Sequence, residues 1–267
     1  MRARVSTWLI AVAALTASGC GCNGTTIVRP YPPPAVPDVL AQLEAARVAR
    51  TSFQSESVMD YWVKDQRVKG AVLMMGRPGA RLRFNALNPT GGNVAADLAC
   101  DGAGYQLIDY NNNCQLVGPC DGAAIAQLLR INLEPDDFFA LAVGSTPILP
   151  GAGGTTKWDS SAGTETLDLR SNGRRQVIVL DGRDQRWDVL ESTVYDSEGK
   201  VEWKLQNKDF HEVEGPGGAV FRAPGKTKFE QPSHKADLLV RWKEHRFNVE
   251  LDDAKFVMEI PPGLPGC

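Results

Sequence analysis

The stretch 81-RLRFNAL-87 carries the pattern on which the fold depends. Leu82, Phe84 and Ala86 alternate with polar residues, so every second side chain is apolar. Successive side chains of a β-strand point to opposite faces of a sheet. The alternation therefore predicts a strand with one buried face and one face in water.

The same alternation recurs along most of the chain, and tight turns separate the repeats. Asp101-Gly102 and Asn172-Gly173 are the strongest hairpin signals. We predict ten or eleven strands, at 57–63, 66–75, 81–87, 94–100, 105–110, 164–170, 175–181, 186–195, 200–210, 235–243 and 245–251, and 256–260 is a further candidate. Because hairpins join nearly all of them, the sheet should be antiparallel.

A first helix is predicted before the strands. It starts at Asp38, acting as the N-cap, and runs to about Gln54, with its apolar side chains toward the sheet. Arg47 and Arg50 then form a solvated basic face.

Two short helices interrupt the strands. Asp121 can cap a helix over 122–132, and Glu134 can cap a second one that begins at Pro135 and ends near Gly144. The glycine-rich stretch 147–156 is predicted to be a loop. It lacks the lysine-serine or lysine-threonine ending of a phosphate-binding loop.

These elements predict a mainly β, α+β domain. An antiparallel sheet of ten or eleven strands tends to curl. We therefore expect an incomplete β-barrel with an N-terminal helix and a helical lid. A hydrophobic content of 43% is ordinary for a chain with a real core. A net charge of −3 without a basic cluster gives no indication of a nucleic-acid partner.

Residues 1–19 have the layout of a secretory signal peptide. Arg2 and Arg4 precede the apolar run WLIAVAAL, which is shorter than a membrane span. The small residues before Cys20 resemble a bacterial lipobox, although Ala17 stands where leucine is usual. This predicts a lipid on Cys20 that anchors the chain to a membrane. Ordinary cleavage near Ser18 or Gly19, with Cys20 free for a disulfide, is the alternative.

The predicted anchor is followed by a proline-rich tether over 20–37 and a single domain over 38–267. Gly21, rather than aspartate, follows Cys20, which favours the outer membrane, with the domain in the periplasm. Cys22 is a competing lipid acceptor.

The chain has six cysteines, and an exported protein can keep them oxidised. Cys114 and Cys120 are close in sequence and are the pair that we favour. Cys100 ends the strand before them, so it could instead pair with either one.

Motifs for catalysis and metal binding are missing from the sequence. The three histidines lie far from the cysteine cluster, which argues against a metal site, and no cofactor is indicated. We find no nucleophile elbow and no zinc-protease motif. The acidic pairs Asp136-Asp137 and Asp252-Asp253 are better explained as helix caps or solvated turns than as acid–base pairs. We do not expect an enzyme.

The order of elements over residues 39–263 resembles the LolA/LolB family of bacterial lipoprotein carriers and receptors. The resemblance lies in the helix before the first strand, in 69-KGAV-72 and 77-RPGARLRF-84, in the turn at Asp101-Gly102, in the helical insert and in the ending 248-NVELDDAKFVMEIPPG-263. It implies a half-barrel that takes up the acyl chains of lipoproteins. In that family the receptor is itself lipid-anchored.

The resemblance also implies a hydrophobic cavity beneath the lid. Its expected lining residues are Leu82, Phe84, Leu107, Val201 and Trp203 on the sheet, and Phe138, Phe139 and Leu141 on the lid. For each of these side chains an ordinary packed core is the alternative.

We therefore expect a monomeric, membrane-anchored lipoprotein that binds acyl chains or lipoprotein clients. Its role would be lipoprotein localisation to the outer membrane. A structural or interaction lipoprotein of the cell envelope without a transported ligand is the alternative.

Overall fold

The computed structural model describes residues 26–63, 66–88, 92–129 and 131–267. The predicted signal peptide and the lipid site at Cys20 lie outside these residues. The helices are α1 (Val36–Val48), α2 (Gly122–Leu129) and α3 (Pro135–Ala142). The strands are β1 (Phe53–Val63), β2 (Gln66–Arg77), β3 (Arg81–Leu87), β4 (Val94–Asp101), β5 (Gly104–Asp109), β6 (Cys114–Pro119), β7 (Gly153–Asp159), β8 (Thr164–Ser171), β9 (Arg174–Asp181), β10 (Val189–Tyr195), β11 (Val201–Lys208), β12 (His211–Glu214), β13 (Val220–Ala223), β14 (Lys226–Gln231) and β15 (Ala236–Phe247).

Among the described residues, thirteen strands form one antiparallel sheet in the order β6-β5-β4-β3-β2-β1-β15-β14-β11-β10-β9-β8-β7. The sheet is curled and does not close into a barrel, since β6 and β7 at its two ends do not pair. The predicted α+β half-barrel is therefore confirmed. The strand β15 joins the two halves of the chain by pairing with β1 on one side and β14 on the other.

The core lies on one face of the curled sheet, which we call the inner face. Side chains such as Phe53, Met74, Phe84 and Leu98 point there from adjacent strands and are almost fully buried. Burying apolar surface contributes roughly 25 cal/mol per Å². Burial of the apolar side chains that alternate along strands such as 81-RLRFNAL-87 is therefore the main driving force for the fold.

The strand count differs from the prediction. β6, β7, β12, β13 and β14 were not predicted, and 256–260 is not a strand, because a 3-10 turn (Asp253–Phe256) stands there instead. The predicted strands 235–243 and 245–251 are one strand, β15, that ends at Phe247. A β-bulge at Lys243 shifts the register between Trp242 and Glu244, which changes the phase of the alternation.

The first helix also differs from the prediction. It starts earlier, with Ala35 as the N-cap and Asp38 in the first turn, because Pro37 suits the start of a helix. It ends at Val48, so that Phe53 begins β1 instead of lying on the helix. Asp121 does cap α2, since its Oδ1 accepts from the backbone N of Ala123 at 2.9 Å, but α2 ends at Leu129 rather than residue 132.

The segment 27–35, which we call the N-terminal strap, packs along the β7 edge of the sheet. The backbone N of Ile27 donates to Ser160 O at 2.7 Å, and Trp158 Nε1 donates to Ile27 O at 3.2 Å. Arg29 and Tyr31 both reach the buried carboxylate of Glu165, at 3.1 and 3.4 Å. Residues of the predicted tether, from Ile27 onward, therefore pack on the sheet.

The C-terminal tail covers the other edge of the sheet. Gln115 N on β6 donates to Pro265 O at 2.8 Å, and Cys267 N donates to Gln115 O at 2.9 Å. Unpaired edge strands are sites of aggregation, and covering them is a common protection.

Two disulfides join Cys100 to Cys120 and Cys114 to Cys267. The predicted Cys114–Cys120 disulfide is wrong. Cys100 pairs with Cys120, which was one of the two alternatives left for Cys100. Cys100 and Cys120 lie on the inner side near the β2–β3 and β4–β5 turns, while Cys114 begins the edge strand that the tail covers.

Candidate functional site

A helical lid, residues 122–129 and 131–152, lies against the inner face of the sheet. The ring of Phe138 on α3 meets Phe84 of β3 edge-on, with 5.0 Å between ring centres. Phe139 packs on Phe53 of β1 at 5.8 Å. Edge-to-face pairs of this kind contribute about 1 kcal/mol beyond their buried area. The lid is therefore held on the sheet mainly by apolar contacts.

Buried amide side chains hold the lid at two further points. Gln231 of β14 accepts from Asn132 N at 2.9 Å and donates to Asn132 O at 2.6 Å. Gln176 of β9 accepts from Leu149 N at 3.0 Å and donates to Pro147 O at 2.7 Å. Each glutamine is buried on the inner face.

The start of α3 is held separately. Asp136 Oδ1 accepts from the backbone N atoms of Gly79 and Ala80, at 2.9 and 3.0 Å, in the turn between β2 and β3. Burial, with Glu134 and Asp136 nearby, raises the pKa of Asp137. A groove of about 430 Å³ opens beside these residues, between α1, α3 and the loop that follows α3.

The structure places most of the predicted lining residues in one apolar interior between sheet and lid. Seven of them are buried there: Leu82, Phe84, Leu107, Phe138, Phe139, Leu141 and Trp203. Val201 is half-buried at the start of β11. Trp203 lies in the other half of the sheet from Phe84, where it stacks on Phe229 at 5.8 Å.

A polar cluster also lies in this interior, and the sequence reasoning missed it. Ser55 of β1 and His245 of β15 are direct partners in the antiparallel ladder, and both are buried. Ser55 Oγ and both ring nitrogens of His245 lack a hydrogen-bond partner among the described residues. Burial above all, with smaller effects of His211 and Arg50, lowers the pKa of His245 to about 3. The ring is therefore neutral at pH 7.

Arg50 extends this cluster. Its guanidinium Cζ lies 5.5 Å from the ring centre of Phe221 and 5.6 Å from that of Phe247. Nη2 donates to Arg222 O at 3.0 Å, while the buried Nε has no partner in the described part of the chain. Burial lowers the pKa of Arg50. The expected solvated basic face is therefore wrong for this residue, because the β12–β13 hairpin covers it.

The acidic pairs have structural roles. Asp252 accepts from Ala254 N at 2.9 Å and caps the 3-10 turn, and Asp253 forms ion pairs with Arg77 and Arg81. Within the described ranges, His, Cys, Asp and Glu side chains form no group of three or more suited to a metal ion. None of the described helices is long and apolar enough to cross a bilayer.

Solved structures with the same architecture exist, although no protein-family model and no curated protein matches the sequence. A LolA superfamily protein from Nitrosomonas europaea superposes with a TM-score of 0.55 at 10% identity, covering 84% of this chain and 98% of that one. The chain has a LolA-like fold.

Two further structures share this LolA-like fold. One is an outer membrane lipoprotein-sorting protein domain from Vibrio parahaemolyticus, with a TM-score of 0.56, 11% identity and coverage of 82% of this chain and 94% of that domain. The other is a DUF1329 family protein from Desulfovibrio piger, with a TM-score of 0.54, 15% identity and coverage of 82% and 95%. The expected LolA/LolB-like architecture is confirmed at the level of the fold.

Proposed function

We propose that this protein is a lipoprotein of the cell envelope that binds acyl chains, free or carried by lipoprotein clients, between its sheet and its helical lid. The observation that carries this proposal is the contact of α3 with the sheet through phenylalanine rings. The methylene groups of an acyl chain can make apolar contacts with the sheet in place of the rings of Phe138 and Phe139. Each buried methylene would contribute about 0.8 kcal/mol, so a chain could displace the lid.

The N-terminal sequence supports an anchored role. We propose that Cys20 carries the lipid and that the domain faces the periplasm from the outer membrane, where it takes part in lipoprotein localisation. The lipoprotein-sorting domain with the same fold is consistent with this role. We propose that the protein acts as a monomer and has no catalytic role.

The test is native mass spectrometry of the full chain, purified in mild detergent and released from the micelle in the instrument. We expect acyl-chain adducts on the native protein. The variant Phe138→Asp should lose them, because a charge on α3 would face the apolar interior. Val257→Asp is the matched control, since Val257 is 49% exposed. Thermal unfolding by circular dichroism establishes that both variants are folded.

The second candidate is a structural lipoprotein without a transported ligand. The observation in its favour is that Phe84 and Phe138, like Phe53 and Phe139, already pack on each other. In that case the native protein carries no adduct and takes up no added fatty acid, and Phe138→Asp changes stability alone.

A further inference from the structure

The inner face contains buried polar atoms that the fold itself does not satisfy. In native proteins nearly all buried polar atoms have hydrogen-bond partners, and each exception needs an explanation. Ser55 Oγ, His245 Nδ1, His245 Nε2 and Arg50 Nε are such exceptions among the described residues. Leaving a buried donor unpaired is costly, so an occupant that pairs with several of them at once would bind tightly.

The residues that carry these atoms are connected through the β1–β15 ladder and the ring of Phe247. Ser55 and His245 face each other across the β1–β15 ladder, where directly opposite Cβ atoms are about 5 Å apart. The ring centre of His245 lies 5.4 Å from that of Phe247, and Arg50 Cζ lies 5.6 Å from the same ring centre. Ser55 is thus the ladder partner of His245, Arg50 contacts the Phe247 ring on which His245 packs, and the charge of Arg50 acts on His245.

The charges around this cluster favour an anion. Arg50 is half-buried, and its Nη1 and Nη2 donate to the carbonyls of Ala46 and Arg222, but no described carboxylate lies within ion-pairing distance of it. Asp188 is the acidic side chain whose charge raises the pKa of Arg50. Its Oδ2 already accepts a hydrogen bond from Arg222 Nε at 2.7 Å. The other titratable neighbour is His211, whose ring centre lies 6.4 Å from that of His245.

We infer that Ser55, His245 and Arg50 form a subsite for the carboxylate of a long-chain fatty acid, whose alkyl chain lies in the apolar interior. This inference rests on the proposed function and deepens it by specifying the head group. Ser55 Oγ and one ring N–H of His245 would donate to the carboxylate, and the Arg50 guanidinium would neutralise its charge.

The experiment compares hexadecanoic acid with hexadecan-1-ol, which has the same chain and no charge. The full chain in mild detergent is titrated with each lipid at pH 8, and native mass spectrometry gives the bound fraction. We expect a preference for the acid of about tenfold, the value of one hydrogen bond to a charged group. Ser55→Ala and His245→Phe should each reduce this preference severalfold while the alcohol still binds.

Ser57→Ala is the matched control, because Ser57 lies on the same face but its Oγ already donates to Val72 O at 3.2 Å. It should keep the preference of the native protein. His245→Phe retains the ring packing on Trp242 and Phe247. If the folded variant loses its preference for the acid, the ring nitrogens of His245 are therefore required for that preference. Equal binding of acid and alcohol by the native protein, or an unchanged preference in both variants, overturns the subsite and leaves the proposed function intact. Binding of neither lipid overturns the proposed function itself.

Discussion

The side-chain amide of Gln231 makes both of its hydrogen bonds to the backbone of a single residue, Asn132. Gln231 lies on β14, whereas Asn132 lies in the lid segment between α2 and α3. This pair therefore joins the lid to the sheet at a point far from the phenylalanine contacts of α3. Removing it should loosen one end of the lid and leave the sheet intact.

We predict that Gln231→Ala lowers the free energy of unfolding by about 1–3 kcal/mol, because two buried backbone groups of Asn132 lose their partner. Backbone amides of the lid should exchange with deuterium faster, while amides of β1 and β15 should not. Hydrogen–deuterium exchange followed by mass spectrometry measures both. Gln206→Ala is the control, since Gln206 bonds Glu191 away from the lid. An equal change of exchange in lid and sheet would contradict this role.

The burial of His245 predicts an acid-dependent loss of stability. Its pKa is about 3 in the folded protein against 6.5 for the free side chain, so the unfolded state binds the proton first as the pH falls. Stability contributed by the neutral ring is present above pH 6.5 and is lost between pH 6.5 and about 3. The slope should reach about 1.4 kcal/mol per pH unit.

His245→Phe should remove this component from the pH profile of urea unfolding. The variant should be at least as stable as the native protein at pH 7, because it replaces unpaired buried nitrogens with carbon. His234→Gln, at an exposed position, should leave the profile unchanged. A native-like profile for His245→Phe would mean that other groups cause the acid sensitivity.

The N-terminal strap should depend on its ion pair with Glu165. Arg29→Met leaves a carboxylate with no exposed surface without its cation. The site lies near the surface of the molecule, so we expect a loss of roughly 3 kcal/mol, at the lower end for buried pairs. Burial raises the pKa of Tyr31 to about 12, so at pH 7 its neutral phenol still donates to Glu165 but supplies no positive charge in place of Arg29.

Limited proteolysis should detect new cleavage before Val36 in Arg29→Met. Arg186→Met is the control, because Arg186 forms an exposed pair with Asp184 at 3.3 Å. Exposed pairs contribute at most about 1 kcal/mol. If both variants lose the same stability, the strap is not held by this pair.

The two disulfides should contribute unequally. The Cys114–Cys267 bond spans 153 residues and the Cys100–Cys120 bond spans 20. Chain entropy predicts losses of about 5 and about 3 kcal/mol when each pair is replaced by alanine. Urea unfolding of the two double variants measures this order, and the Cys114/Cys267 variant should also aggregate more readily because the β6 edge is uncovered. The reverse order of stabilities would show that local packing around Cys100 outweighs chain entropy.

The sequence predicted the fold class and most strands because apolar alternation is strong where one face is buried. It failed where inward-facing residues are polar. β14 places Thr227, Phe229 and Gln231 inside, so its pattern is not apolar, and the edge strand β7 is rich in glycine and threonine. Neither strand has the periodicity that predicts a strand.

The polar cluster was missed for a related reason. The bulge at Lys243 moves His245 to the inner face, whereas uninterrupted alternation from Trp242 would place it outside. Arg50 looked solvated because the residues that cover it, Phe221 and Phe247, are distant in sequence. The alternation along a segment predicts only which side of that segment is buried. The contacts of Arg50 form only when the β12–β13 hairpin packs on the sheet.

If Cys20 carries the lipid that we propose, the contacts of the N-terminal strap limit the distance between the domain and the bilayer. Ile27 bonds to Ser160 beside the β7 edge, and the seven peptide units between Cys20 and Ile27 span at most about 25 Å. A free linker up to Asp38 would span about 60 Å. Under the proposed lipidation, the domain would therefore stay near the bilayer and receive the proposed clients at the membrane surface, without diffusing across the periplasm.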